Sequence, residues 1–270
     1  MKLDELKKIW TSKEQPEVQQ RIWDRAADSY RARPLPTFEN DDFLKLLRDM
    51  MPDMAGKRFL DVGCGAGVYS LAIAMEGGQA VGVDISPKMI GHACERAETE
   101  HIPGTEFIAL NWADADIDTL GYRGAFDVVF AHMTPAICDY ATFDKLNACS
   151  RGLCLVEKPT RRNDVVLDEA CRRVGIGANE KFNSDLEYIF SYLWNSGYSP
   201  AFYYKKEVWK SERTIEDMVA WCTDRARLRK ALTSADEQII REYVESVAVD
   251  GMVTETVNTT RVTIAWRVAE

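Results

Sequence analysis

The sequence predicts an α/β fold: a Rossmann-like, seven-stranded, mostly parallel sheet with helices on both faces, an N-terminal helical cap and a helical insertion between the last two strands. Three observations predict it. Five short apolar runs, RFLDVG, QAVGVD, TEFIALN, FDVVFAH and GLCLVEK, recur from Arg58 to Lys158 with amphipathic stretches between them, the alternation that builds a parallel sheet through crossover helices. The runs are apolar throughout instead of alternating, as strands covered on both faces are. The first run also passes into Gly63, Gly65 and Gly67 and then directly into the helix-like VYSLAIAM, a strand, a glycine turn and a helix N-terminus in sequence.

Taken in order, residues 1–50 read as helices. Leu3, Leu6, Ile9 and Trp10 repeat at helical spacing, as do Val18, Ile22, Ala26 and Tyr30, and then Phe43, Leu44, Leu46, Leu47 and Met50. Pro34 and Pro36 break the run before the third helix. A Rossmann-type core needs no such prefix, so 1–50 is expected to be a cap, followed by a cofactor-binding core at 51–160 and a C-terminal half at 161–270.

Within the core, glycine at the first turn lets the backbone take positive φ and lets a ligand approach where a Cβ would collide. The spacing then discriminates. A dinucleotide fingerprint wants glycine or alanine three residues after Gly65, but Val68 stands there and the third glycine comes one residue early. The second run closes on Asp84, whose carboxylate can accept hydrogen bonds from both hydroxyls of a ribose.

The pattern D-x-G-x-G-x-G from Asp61 to Gly67, with Asp84 after it, resembles the first motifs of the class I S-adenosylmethionine-dependent methyltransferases, and the similarity extends over about Trp23 to Val156. It implies S-adenosyl-L-methionine as methyl donor and S-adenosyl-L-homocysteine as product. It further implies cofactor contacts from Asp61, Gly63, Cys64, Gly65, Gly67, Asp84, Ile85, Asn111, Trp112 and His132. WDRAADSYRAR (Trp23–Arg33) resembles the segment that precedes this core in many small-molecule methyltransferases, where the tyrosine, here Tyr30, edges cofactor and substrate; Trp23 and Tyr30 also read as the buried face of a helix.

After the third strand, Asn111 stands where the family usually has an acidic residue that accepts from the adenine amino group, and Asp114 is its rival. Trp112 is open between a place on adenine and the core. After the fourth strand, AHMTPAICDY (Ala131–Tyr140) holds the first candidates for the substrate side. His132, at a strand end, suits a general base near neutral pH or a wall of the cofactor pocket. With Tyr30 and Asp139 it completes the catalytic candidates. His92 and His101 fall on or beside a helix and are expected to face solvent.

The remaining chain is expected to give helices near Asp164–Val174 and Asp185–Asn195, and a sixth strand at AFYYKKEVW. A helical lid follows at about 211–250, with capping serines at Ser211 and Ser234, and a seventh strand at TTRVTIAWRVA. Trp194, Tyr203, Tyr204, Trp209 and Trp221 could line an apolar pocket or a homodimer contact.

Composition sets the outer limits. The 270 residues carry 46% hydrophobic and 29% charged side chains with net charge -9, ordinary for a globular chain and unfavourable for a generic nucleic-acid surface, whose affinity comes from Lys and Arg. Only Arg161–Arg162 and Arg225–Lys230 cluster basic charge, and both read as solvated helix faces. Seven dispersed cysteines without a C-x-x-C and three histidines point to reduced thiols, no metal centre and a cytoplasmic location. No apolar run approaches the length of a membrane span and the charged N-terminus does not read as a secretory leader. The expected function is methyl transfer to a small-molecule acceptor. The alternatives are an RNA- or protein-modifying methyltransferase and a cofactor-binding module without catalysis.

Overall fold

The computed structural model describes residues 2–12, 15–177 and 183–268. Its strands are β1 (Arg58–Val62), β2 (Gln79–Asp84), β3 (Thr105–Ala109), β4 (Phe126–His132), β5 (Ser150–Asp164), β6 (Ala201–Thr214) and β7 (Met252–Arg267). The helices are α1 (Leu3–Ile9), α2 (Pro16–Arg31), α3 (Asp42–Met50), α4 (Val68–Met75), α5 (Pro87–Thr99), α6 (Tyr140–Cys149), α7 (Val165–Arg173), α8 (Ser184–Asn195), α9 (Ile215–Arg227) and α10 (Ser234–Ser246). The strands form one sheet in the order β3-β2-β1-β4-β5-β7-β6. Pairing is parallel from β3 through β2, β1 and β4 to β5. The chain therefore winds outward from β1 to β3 and returns to the other side of β1 for β4. That reversal opens a crevice at the carboxyl ends of β1 and β4, where open α/β sheets bind ligands.

Two compact units divide the chain: residues 1–158, 184–203 and 263–270 form the first, and residues 159–183 and 204–262 the second. In the first, the apolar stripe of α3 (Phe43, Leu44, Leu47) and Ala72 and Ile73 of α4 pack with Phe59, Phe130, Leu155 and Ala265 of the sheet. Burying such side chains is worth about 1.5–3 kcal/mol each. Trp266 adds a buried ring 5.4 Å from that of Phe143, and its indole N–H donates to Asn147 Oδ1 at 2.8 Å. In the second unit, Val166, Leu167 and Ala170 of α7 pack with Met218 and Cys222 of α9, Ile240 and Val244 of α10, and Val253 of β7. The buried Glu255 carboxylate accepts the N–H groups of Val166 and Leu167 at 2.9 and 3.0 Å, closing the N-terminus of α7.

The division differs from the expected one. Helices α1–α3 belong to the same unit as the core, and α7 joins the expected lid helices α9 and α10. Strand β6 runs on to Thr214, so Ser211 lies within it and Thr214 caps α9 by accepting from Asp217 N–H at 3.2 Å. The cap of α10 is Thr233, reciprocated by Asp236, in place of Ser234. The causes differ: the polar residues of β6 have exposed positions and read locally like a loop, which places the start of α9 too early, whereas Thr233 and Ser234 are adjacent hydroxyls and the sequence takes the wrong one. Among the described residues no helix is long and apolar enough to cross a membrane.

Candidate active site

The turn after β1 lies at the sheet reversal, and its three glycines meet different needs. All take positive φ, 75° at Gly63, 55° at Gly65 and 72° at Gly67. A Cβ on Gly63 would fall 2.0 Å from Thr134 Oγ1, in the loop after β4, and one on Gly67 2.6 Å from the Phe107 ring. At Gly65 the nearest atoms, Met89 Sδ and Tyr30 Cδ1, stand 4.0 Å off. The outer glycines admit protein neighbours, and the middle one leaves the turn open.

Asp84 holds that open turn. Its Oδ2 accepts Gly65 N–H and its Oδ1 accepts Ser86 N–H, both at 2.9 Å. Burial still raises its pKa, against those two bonds and with repulsion from Asp24. Asp61 lies buried behind the turn, where its Oδ2 accepts Ser70 Oγ–H at 2.8 Å. Burial pushes its carboxyl up to about 7, the Ser70 bond opposes this, and the charge of Asp84 adds to it. The Cys64 thiol is buried against the same carboxylates and is raised well above its usual range, so it stays an unreactive thiol. Ile85 follows Asp84, half-buried.

Helix α2 docks on α5 beside this turn through polar contacts. Asp24 Oδ1 accepts Ser86 Oγ–H at 2.5 Å and Lys88 N–H at 3.4 Å, an added carboxylate at the positive end of α5. Asp28 lies 3.0 Å from His92 Nε2, Arg31 pairs with Glu95 at 2.6 Å, and Arg96 donates to the Arg33 carbonyl at 2.7 Å. His92 therefore faces α2, not solvent, whereas His101 is exposed at the end of α5. Trp23 and Tyr30 meet edge to face at 6.1 Å and pack with Ala26, Ala27, Ala66 and Met89, and the Arg33 guanidinium covers the Tyr30 ring at 3.7 Å. Tyr30 is both a packing residue and a neighbour of the open glycine.

The loops after β3 and β4 correct several sequence expectations. Asn111 caps a short 3-10 turn, Trp112–Asp114, accepting Ala113 N–H at 3.2 Å and donating to Asp114 at 2.8 Å. The Trp112 indole is 2% exposed and donates to the Thr142 carbonyl at 2.9 Å, so its ring belongs to the core and offers no face to adenine. Lys145 fastens the same turn by donating to the carbonyls of Trp112, Ala113 and Ala115 at 2.6, 2.8 and 3.2 Å. Asp139 is the N-cap of α6: its Oδ1 accepts Thr142 N–H at 2.8 Å and Thr142 Oγ–H at 2.7 Å. Its Oδ1 is thereby engaged at the helix N-terminus.

His132 ends β4, with its ring 4.0 Å from that of Tyr69 and 4.8 Å from that of Phe43. The next residue, Met133, takes φ 52° and donates its N–H to the Glu157 carbonyl at 2.9 Å. A non-glycine residue in that region is a strained position of the kind that clusters at functional sites. Sequence reasoning missed Asp24, Thr134 and Glu157, and only Glu157 left a local signal, as a carboxylate ending an apolar run.

Residues 53–172 match the family model for a methyltransferase domain. That segment, less than half of the chain, is similar to methyltransferase domains. Among curated proteins, the magnesium-protoporphyrin O-methyltransferase of Rhodobacter capsulatus is 32% identical over 92 residues, 34% of this chain and 41% of that one. A ubiquinone biosynthesis O-methyltransferase of Aromatoleum aromaticum is 35% identical over 78 residues, 26% and 33% of the two chains. The matched part thus spans less than half the length of either relative. A Geobacter sulfurreducens S-adenosylmethionine-dependent methyltransferase, solved with S-adenosyl-L-homocysteine, superposes with TM-score 0.50 at 16% identity, covering 90% of this chain and 97% of that one. That similarity shows the shared fold.

Proposed function

We propose that this protein transfers a methyl group from S-adenosylmethionine to a small-molecule acceptor and releases S-adenosylhomocysteine. The observation that carries this reading is the turn at Gly65, open on its ligand side and pinned by Asp84. The residues present fit the cofactor. Asp84 keeps lone pairs for ribose hydroxyls beyond the two backbone bonds that it already accepts. Asp61, Asp84 and Asp24 lie close enough to repel one another, a setting that favours a sulfonium cation and opposes the pyrophosphate of a dinucleotide. S-Adenosylmethionine, when bound, supplies a methyl group already activated for transfer. The chain's part is to orient the acceptor and keep water out, which can be worth roughly 7–11 kcal/mol of barrier. Gly63, Gly65, Asp84 and the Asn111 turn are assigned to binding, with Tyr30 and His132 toward the acceptor.

The small-molecule assignment is supported by the O-methyltransferase relatives and by how the basic clusters are used. Arg227 pairs with Asp224 and Glu237, Arg229 donates to the Gly177 carbonyl, and Lys230 donates to the Val174 carbonyl and Asp236. Arg162 forks onto Asp164. Charges engaged in this way leave less for phosphates. The same reading places the protein in the cytoplasm. Isothermal titration with S-adenosylhomocysteine tests it: micromolar binding is expected, and neither heat nor a thermal shift at millimolar ligand overturns it. Binding with no turnover on any metabolite fraction would favour the non-catalytic alternative.

A further inference from the structure

Glu157 is an unusual residue for its place. It follows Leu153, Cys154, Leu155 and Val156, all fully buried on β5, and is itself only 4% exposed. Burying a carboxylate costs several kcal/mol unless it is well partnered, and the described partners lead to the crevice. Glu157 pairs directly with His132 across the β4–β5 ladder. Its Oε1 lies 3.0 Å from His132 Nε2, off the axis of a well-formed hydrogen bond, and its Oε2 accepts Thr263 Oγ–H at 2.6 Å.

The register fixes where this group stands. Phe59 aligns with Val128 and Asp61 with Phe130, so the end of β4, which carries His132, runs parallel to the end of β1, from which the open turn starts. The His132 ring is held on a third side by Tyr69, whose hydroxyl donates to Asp41 Oδ2 at 3.1 Å. Strand ends, an aromatic wall and a buried carboxylate together restrict one imidazole at the reversal point of the sheet.

We propose that Glu157, steadied by Thr263, is a positioning residue that holds the His132 imidazole with Nε2–H toward the carboxylate and Nδ1 as proton acceptor, so that the group methylated here is a neutral hydroxyl of a small molecule. This rests on the methyltransferase reading above. A carboxylate acceptor has no proton to lose and a neutral amine can attack before losing one. A hydroxyl gains most from a base at the moment of attack. The hydroxyl oxygen forms a bond to the methyl carbon, the carbon–sulfur bond breaks with its electron pair left on sulfur, and the O–H proton passes to Nδ1. Glu157 then balances the imidazolium. Poor alignment of the Nε2 contact before substrate binds is common for catalytic hydrogen bonds.

The test uses full-length protein labelled with 15N-histidine and loaded with S-adenosylhomocysteine. Long-range proton–nitrogen NMR is expected to show His132 as the Nε2–H tautomer in the wild type and a changed tautomer balance in Glu157→Gln. With a 13C-methyl donor and a small-molecule extract of the producing cells, new signals are expected to be methoxyl ethers. Glu157→Gln should lower their rate of formation by about 10-fold to 100-fold, with Glu157→Asp restoring part of it and the affinity for S-adenosylhomocysteine held. Thr263→Val, which keeps the carboxylate, gives the same readouts should Glu157→Gln not fold. An Nδ1–H tautomer in the wild type, a Glu157→Gln variant unchanged in tautomer and rate, or products methylated only on nitrogen, sulfur, carbon or carboxylate would overturn the inference, as would no methylated product despite binding. Loss of S-adenosylhomocysteine binding by the wild type would instead remove the methyltransferase reading beneath it.

Discussion

Asp61→Asn should remove most of a pH-dependent loss of stability that the wild type shows between pH 5 and pH 8. Burial holds the folded-state pKa of Asp61 at about 7 against an ordinary carboxyl value of 3.8. In that window the folded state binds more protons than the unfolded chain, so stability falls as pH rises. It is fully present below the unfolded value and is lost on passing through the folded one. With 1.36 kcal/mol per unit, the wild type should lose about 2–3 kcal/mol from this group between pH 5 and pH 8. For a chain of this size that is roughly 5–10 °C in melting midpoint. Asparagine keeps an oxygen for the Ser70 hydroxyl but has no charge to bury. Asp84 and Glu255 are also raised by burial, but they titrate in both proteins, so the difference between the two curves isolates Asp61. Urea and thermal midpoints of the two ligand-free proteins should draw together only below about pH 4, and the gap between them should widen by about 2–3 kcal/mol from pH 5 to pH 8, with the variant higher. Parallel curves across the window would refute the reasoning.

Gly63→Ala should unfold the turn or push the β4 loop away, since its Cβ would sit 2.0 Å from Thr134 Oγ1 at φ 75°; a cost of about 2–4 kcal/mol is expected, with binding of S-adenosylhomocysteine lost by titration. Asp139→Ala should lower stability by about 1 kcal/mol through loss of the α6 cap, read by urea melting, while affinity for S-adenosylhomocysteine holds; a large loss of affinity with unchanged stability would restore Asp139 to the site. Asp24→Ala should speed amide hydrogen exchange in α2 and at the first turn of α5, because it removes the acceptor for Ser86 Oγ–H and Lys88 N–H; unchanged exchange there would show that the apolar contacts of Ala26 and Ala27 hold the helix alone.

The glycine turn and its carboxylate were legible because their signals are local. Gly63, Gly65 and Gly67 sit within one turn, and Asp84 closes the next apolar run, so strand, turn and carboxylate can be read from a short window. The rest of the crevice was not, because the deciding partners are far apart in sequence. Asp24 meets Ser86, Thr134 fills the space that a Cβ on Gly63 would need, and Glu157 meets Thr263. No periodicity records such pairs. Asp139 and Trp112 stayed ambiguous for a related reason: a capping aspartate and a core indole have the same residue types as a substrate-side carboxylate and an adenine platform. Only the Thr142 backbone, which engages both, separates the readings. The two-unit division was hidden because β5, β6 and β7 each continue from one unit into the other, and a strand carries no mark where it changes company.

Strand β7 gives the chain a late closing step. Its residues 252–262 complete the second unit and 263–267 the first: Val253 and Glu255 serve α7, while Ala265 and Trp266 fill the core around Phe130 and Phe143. During synthesis the glycine turn, Asp84 and His132 all leave the ribosome more than a hundred residues before this strand does. Neither unit can finish its core until this strand has been made, and the nascent chain must wait with β5 uncovered on one edge. Removing residues 247–270 would therefore leave the glycine turn, Asp84 and His132 in place in the sequence and still leave both cores unfinished.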